Sequence, residues 1–560
     1  MLTSYAFVPA FSPCDRPSCL APSPRRPRWG VRASAAVAVF SPVAERGRTA
    51  REAAFSSYRH GADAVDLPME VCEGAIPDWL RGTYCRNGPG LFEVGGRKLE
   101  HWFDGYAMLT KVALEPRQPP RLSTRFVESD AYQAARRGEM RYAEFMTPQV
   151  PPGSGPLGVL KGFASLALGD PTDNACVNLA RRGPSLQAMT ETQRSWVEVA
   201  PDTLATLRKV AWEGPSVGQL STAHAQRDPA GGGWVNVGTE IAPPLWSQYH
   251  VFRTTDDSPQ RREILCSIPC ADGAAPYWLH SFGLTREHVV VVEQPAAYNV
   301  AAMLGLGKAS HGSVDWRAAE GTRLHVLHRA SGALRTVTVR PAFFFFHVAN
   351  ALDTADGGVA LDLCAFDDPT ILSALRLDAL TDAAAARDLP TSRLTRIALP
   401  PAAADGADGA DGGAAGAEPT PTPTLRPLDD EAMTGGFVDL CSVAPAAVGD
   451  PEYRYVYSIA AARPTAVANR IVKSDVSGGG GGAAFEAEGG QMLPGEPLFV
   501  PRPGGDAEDD GVVLSLGTDA DGGSSLYVLD ASDLRLLARV RSPIGLPAGF
   551  HGHFEPWGGD

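Results

Sequence analysis

Four histidines of this 560-residue chain stand in settings that suit a metal: Thr222-Ala223-His224, Trp278-Leu279-His280-Ser281-Phe282, Phe346-His347-Val348-Ala349-Asn350 and Phe550-His551-Gly552. Each lies in a loop-like or strand-end stretch, mostly beside aromatic residues. Imidazole suits iron, copper, zinc and nickel. One such histidine alone reads more readily as a hydrogen-bonded structural residue. Their separations, 56, 67 and 204 residues, change that reading. The last is close to three times the middle one and spans two low-complexity tracts, so the pattern is one ligand in each of several similar units.

A metal-bound imidazole donates its other ring proton to a carboxylate or carbonyl, which fixes tautomer and ring orientation. Acids embedded in apolar strand-like sequence are therefore expected. Three fit: Glu191 after Gln187-Ala188-Met189-Thr190, Asp439 after Gly435-Gly436-Phe437-Val438, and Glu496 before Pro497-Leu498-Phe499-Val500. Sequence does not pair them with particular histidines.

Residues so far apart in the chain need elements that bring them together. Most of the sequence reads as short strands with turn residues every eight to twelve positions. An alternating strand, a turn with Asp, Ser or Gly, and a second strand recur at 196–210, 324–339 and 526–540. These starts lie 128 and 202 residues apart, near two and three multiples of a unit of about 65. Radially repeated β units make a propeller, whose central channel can collect one side chain from each of several blades. The fold expected is all-β.

Composition sets the limits. The chain is 44% hydrophobic with a net charge of -14, so it can bury a large core, and it offers no basic stripe for nucleic acid. No run of about eighteen apolar residues occurs to span a bilayer as a helix. Nine scattered cysteines show no second pair at zinc-finger spacing and read as reduced thiols. Residues 1–44 carry five arginines against the single acid Asp15, among many Ser, Ala and Pro, which is the composition of a plastid transit peptide. Residues 45–66 read as a linker and 67–560 as a single domain. The tracts at 402–424 and 477–490, built of Ala, Asp, Gly, Pro and Thr or of Gly, read as loop insertions.

From about Leu67 to Phe554 the sequence resembles the carotenoid cleavage oxygenases, which include the retinoid isomerase of the retinal pigment epithelium and the lignostilbene dioxygenases. The resemblance rests on Arg81-Gly82-Thr83-Tyr84-Cys85-Arg86-Asn87-Gly88-Pro89, on His101-Trp102-Phe103-Asp104-Gly105, and on the four histidine motifs. It implies a seven-bladed propeller with a helical and loop cap over the metal-bearing face. It further implies one Fe(II) per chain held by His224, His280, His347 and His551, with Glu191, Asp439 and Glu496 orienting three of the four. Asp439-Leu440-Cys441 departs from the family's Glu-Phe-Pro. A shorter acid must then reach its histidine, and Asp439→Glu is expected to preserve or improve activity.

The family's reaction uses dioxygen as cosubstrate to cleave a carbon-carbon double bond of a polyene into two carbonyl products. Such a substrate calls for an apolar tunnel, for which Phe103, Trp278, Phe282, Phe346 and Phe550 are candidate lining. It also calls for an apolar surface at the tunnel mouth. Segments 157–168 and 300–306 are the candidates for monotopic membrane contact. No obligate protein partner is evident. The alternatives are cleavage of a stilbene-type phenolic, isomerisation of a retinoid or carotenoid on the same fold, and a degenerate metal-binding propeller scaffold.

Overall fold

The computed structural model describes residues 49–557 except 60–62, 141–145, 148–154, 159, 161–171, 192–194, 242–246, 271–275, 304–309, 383–387, 402–422, 479–481 and 488–491. Segment 1–44, read from its composition as a transit peptide, and most of tract 402–424 lie outside the described residues.

A run of four valines shows how the sequence builds the fold. Strand His288–Glu293 is buried along its whole length. Successive side chains of a strand point to opposite faces. Val289 and Val291 accordingly join the core shared with Val235, Val237 and Val251, while Val290 and Val292 join the one shared with Leu361, Leu363 and Ile397. A strand apolar on both faces must sit in a sheet sandwiched between two others. Repeated around the chain, this rule produces a ring of sheets with an apolar core at each seam.

Seven antiparallel sheets of four or five strands make the ring. Blade 1 contains Gly552–Pro556, Gly82–Leu91, Tyr106–Leu114, Arg121–Phe126 and Ala64–Pro68. Blade 2 spans residues 178–211, blade 3 220–269, blade 4 283–339, blade 5 344–427 and blade 6 438–485. Blade 7 spans 498–541 and takes in Glu70–Gly74 as its outer strand. The ring is closed twice: the C-terminal strand completes blade 1, and an N-terminal strand completes blade 7, pairing Val71 with Val540. Closure of this kind ties the two halves of the ring together by strand pairing and leaves only short blade edges.

The three recurring hairpins expected from sequence are the outer halves of blades 2 and 4, at Ser195–Ala211 and Thr322–Val339, and in blade 7 the pair just inside Glu70–Gly74, at Ser524–Arg541. They are two and three blades apart, as their spacing implied.

Two expectations are corrected. Residues 45–66 are not simply a linker: Ala50–Ala54 is a helix closed by a Thr49–Glu52 capping box, and Ala54 and Phe55 are buried in a core cluster with Leu380 and Leu493. Its Arg51 Nε donates to Leu380 O at 2.8 Å, tying the helix to the cap. Tract 477–490 is not wholly an insertion, because Gly482–Phe485 is the outer strand of blade 6, paired with Arg470–Asp475. Ladder hydrogen bonds are made by backbone, so a strand at the blade rim needs little from its side chains. Helices Thr370–Ala374 and Leu377–Thr381 and the loops beside them cover one face of the ring. No helix among the described residues is long and apolar enough to cross a membrane.

Candidate metal centre

Each of the four histidines comes from a different blade. His224 stands in the turn between Leu220–Ser221 and Gln226–Arg227 of blade 3, held by Asn178 Nδ2 donating to Ala223 O at 2.9 Å. His280 precedes Gly283–Leu284 of blade 4, His347 lies within Phe344–Asp353 of blade 5, and His551 precedes Gly552–Pro556 of blade 1. Their ligand nitrogens all lie within 4.8 Å of one another. Around the group Nε2 meets Nε2 at 3.1 Å from His224 to His280, 3.3 Å from His280 to His347 and 3.2 Å from His347 to His551.

The three blades without a histidine supply the acids. Glu191 follows the second strand of blade 2, Asp439 lies in the first strand of blade 6, and Glu496 precedes the first strand of blade 7. Glu191 Oε1 is 2.5 Å from His280 Nδ1, Asp439 Oδ1 2.6 Å from His347 Nδ1, and Glu496 Oε1 2.7 Å from His551 Nδ1. The second oxygens of two of them are also used: Glu191 Oε2 accepts from Trp278 Nε1 at 3.1 Å, and Glu496 Oε2 from Gly552 N at 2.7 Å. Seven blades thus deliver seven residues, four imidazoles and three carboxylates, to one place.

These contacts determine what the centre can hold. A carboxylate facing Nδ1 accepts from Nδ1–H and keeps the ring proton there, so Nε2 of His280, His347 and His551 is turned to the centre as a lone-pair donor. His224 meets no carboxylate among the described residues. Burial, and then the imidazoles of His280, His551 and His347, hold it neutral, well below the ordinary range of histidine. Three lone pairs converge where only one imidazole could donate. A cation resolves this conflict, and the adjacent spacings fit: ligands about 2.1 Å from a metal and at right angles lie about 3.0 Å apart. The residues present fit a metal ion with four neutral nitrogen donors.

A cavity of about 150 Å³ opens beside the centre and reaches His280, His347 and His551. Phe103, Trp278, Phe346 and Phe550 line it. Phe103 makes edge contacts with Phe346 and Phe550 at ring-centroid distances of 5.8 and 5.7 Å, and Phe346 with Trp278 at 5.6 Å. Farther out the wall is aliphatic, with Leu375, Leu380 and Leu389, together with Phe55. Phe282, expected with this group, is elsewhere. Gln226 Nε2 holds its carbonyl at 2.7 Å, and its ring fills the seam between blades 3 and 4 among Val237, Tyr249 and Val291.

Two residues that were quoted only as part of a signature prove to hold the centre. Asn87 pairs with the last ligand segment through its backbone, Asn87 N to His551 O at 2.9 Å and Phe550 N to Asn87 O at 2.8 Å. Its side chain donates to Ala175 O and Asn178 O. Arg86 donates to Leu516 O of blade 7 and to Gly549 O, two residues before His551. No spacing in the sequence signalled these roles, because the acceptors are main-chain carbonyls.

The sequence matches the model of the family described as retinal pigment epithelial membrane protein over residues 55–556. The chain belongs to this family, that of the carotenoid cleavage oxygenases. Among curated members it is 33% identical over 524 residues to carotenoid cleavage dioxygenase 8 homolog A, chloroplastic, of Oryza sativa subsp. japonica, covering 91% of this chain and 88% of that protein. It is 30% identical over 527 residues to beta,beta-carotene 15,15'-dioxygenase of Rattus norvegicus, covering 89% and 91%. Among solved structures, a cobalt-substituted Synechocystis apocarotenoid oxygenase superposes with a TM-score of 0.71 at 26% identity, over 90% of this chain and 98% of that one.

Proposed function

We propose that the chain is a non-haem iron(II) dioxygenase that cleaves a carbon-carbon double bond of a carotenoid or apocarotenoid into two carbonyl products. The observation that carries this reading is the junction of four neutral imidazoles, three of them backed by carboxylates, with an aromatic and aliphatic cavity. Dioxygenases acting on such substrates are among its relatives. His224, His280, His347 and His551 are the residues that would hold the iron. Once bound, ferrous iron supplies a centre at which dioxygen can react with an alkene while the ligand set adds no negative charge.

The chain's own residues do the rest. Glu191, Asp439 and Glu496 hold three imidazoles in the unprotonated, ligating orientation. Phe103, Trp278, Phe346 and Phe550 exclude water and offer flat faces to a polyene, whose desolvation supplies most of its affinity. Leu157 and Leu160, 66% and 63% exposed, support an apolar surface for meeting a membrane-dissolved substrate. The rest of 157–168 falls outside the described residues apart from Gly158, and of 300–306 only Val300–Met303 is described, a short helix in which Ala302 is buried. The arginine-rich leader and the chloroplastic names of several relatives support a plastid location.

The deciding experiment uses protein lacking its first 44 residues, loaded with ferrous iron and given a panel of carotenoids and apocarotenoids in air. Paired carbonyl fragments, identified by mass and dependent on both iron and oxygen, are the expected result. Intact substrates throughout the panel would overturn the reading.

A further inference from the structure

Arg86 is a charged side chain in the wall of a cavity whose two carboxylates, Glu191 and Asp439, are engaged by His280 and His347, and it has no ion-pair partner among the described residues. It is 5% exposed and contributes to the cavity wall. Its bonded acceptors among the described residues are two neutral carbonyls, Leu516 O and Gly549 O. Its Nε–H has no acceptor. The adjacent carboxylate, Glu496, is already engaged by His551 Nδ1 and Gly552 N. The place is shaped for it: a Cβ on Gly495 or Gly549 would collide with the guanidinium. A guanidinium has five N–H donors and keeps its charge at any physiological pH. Two are used here, and burying such a charge without an anion is costly.

A ligand confined to this cavity either leaves that charge unanswered or brings an oxygen to it. A hydrocarbon polyene does the first. An aldehyde or carboxylate at the end of the polyene does the second, and a hydrogen bond from a charged donor is stronger than one from a neutral donor. We propose that Arg86 is the polar anchor of the cavity, selecting polyenes that end in an oxygen acceptor over hydrocarbons of the same length. The proposal rests on the polyene-cleaving reading above and names which members of that substrate class this site takes.

Binding and turnover separate the two. Iron-loaded protein under argon, where no oxygen is present to react, is titrated with a polyene hydrocarbon, the aldehyde and the carboxylate of one chain length. Occupancy is read from quenching of tryptophan emission, to which Trp102 and Trp278 in the cavity wall contribute. The aldehyde and carboxylate are expected to bind at least about tenfold tighter than the hydrocarbon. Arg86→Met is expected to bring the ratio near one, and Arg86→Lys to keep part of the preference. Equal affinities in the native protein overturn the proposal, as does an Arg86→Met variant that weakens all three ligands alike. Should Arg86→Met fail to fold, the native series and Arg86→Lys decide. Absence of cleavage products in air, with the aldehyde preference intact, would count against the dioxygenase reading and not against the anchor.

Discussion

Asp439 Oδ1 lies 2.6 Å from His347 Nδ1, no farther than Glu496 Oε1 lies from His551 Nδ1 at 2.7 Å. The shorter acid reaches because the backbone comes to it. Blade 6 is irregular between Asp439 and Ser442, and Leu440 sits there at φ +45°, a left-handed conformation that a leucine seldom adopts. The expectation drawn from sequence, that Asp439→Glu would preserve or improve activity, therefore reverses. An added methylene in a contact already closed is overpacking. Asp439→Glu and Asp439→Asn are both expected to weaken iron binding by about 10- to 100-fold, measured by competition with a chelator of known affinity.

His347→Ala is expected to abolish iron loading while the ring stays folded, since the cores that hold the blades lie in the seams and not at the axis. Iron per chain by elemental analysis, beside circular dichroism, checks both halves. A variant that keeps its iron contradicts the ligand assignment.

Removing the metal should lower the melting temperature. A ligand that binds only the folded chain stabilises it by about 2.7 kcal/mol at a hundred times its dissociation constant. Melting curves after chelation, and again after graded return of ferrous iron, should show a midpoint that rises with iron concentration. A variant with His224, His280, His347 and His551 all changed to Ala should show no such rise.

His101 gives the chain a titrating group away from the ligands. It is buried, its Nε2 donates to Leu372 O at 2.8 Å, and its Nδ1 accepts from Phe103 N at 3.1 Å. A proton on Nδ1 would oppose that amide. Burial is the main cause that depresses its pKa from 6.5 to about 3. The stability it contributes is therefore fully present above about pH 6.5 and is lost as pH falls toward 3, by up to about 1.4 kcal/mol per unit. His101→Gln should flatten the pH dependence of the urea midpoint over that window and lower its neutral value.

A chain beginning at Leu67 should be less stable than one beginning at 45. It lacks Phe55, which is buried against the cap and lines the cavity, and Arg51, which donates to Leu380 O. Equal melting temperatures for the two would show that the Ala50–Ala54 helix adds nothing.

What could be read from the sequence follows from how each feature is encoded. The ligands were legible because successive blades recur every few tens of residues, so His224, His280 and His347 follow at 56 and 67 and His551 three blades later. The acids were legible because a carboxylate inside an apolar strand needs a reason to be there. Their pairing was not, since it depends on which blade lies beside which. Phe282 was misplaced because an aromatic two residues from a ligand can turn to the axis or to the seam, and only the backbone direction decides. Strand Gly482–Phe485 was hidden because its composition is that of a loop and its order comes from the neighbouring strand. Arg86 was quoted in a motif, yet its lack of an ion-pair partner among the described residues is a property of the folded chain alone.

The double closure of the ring has a consequence for how the protein is made. His551 lies directly ahead of Gly552–Pro556, the strand that pairs with Gly82–Leu91 to complete blade 1. A chain still emerging from the ribosome can form blades 2 to 6, yet it has neither its fourth ligand nor a closed circle until these residues appear. Iron capture is thereby coupled to ring closure. Loss of 551–556 would remove a metal ligand and the seal together.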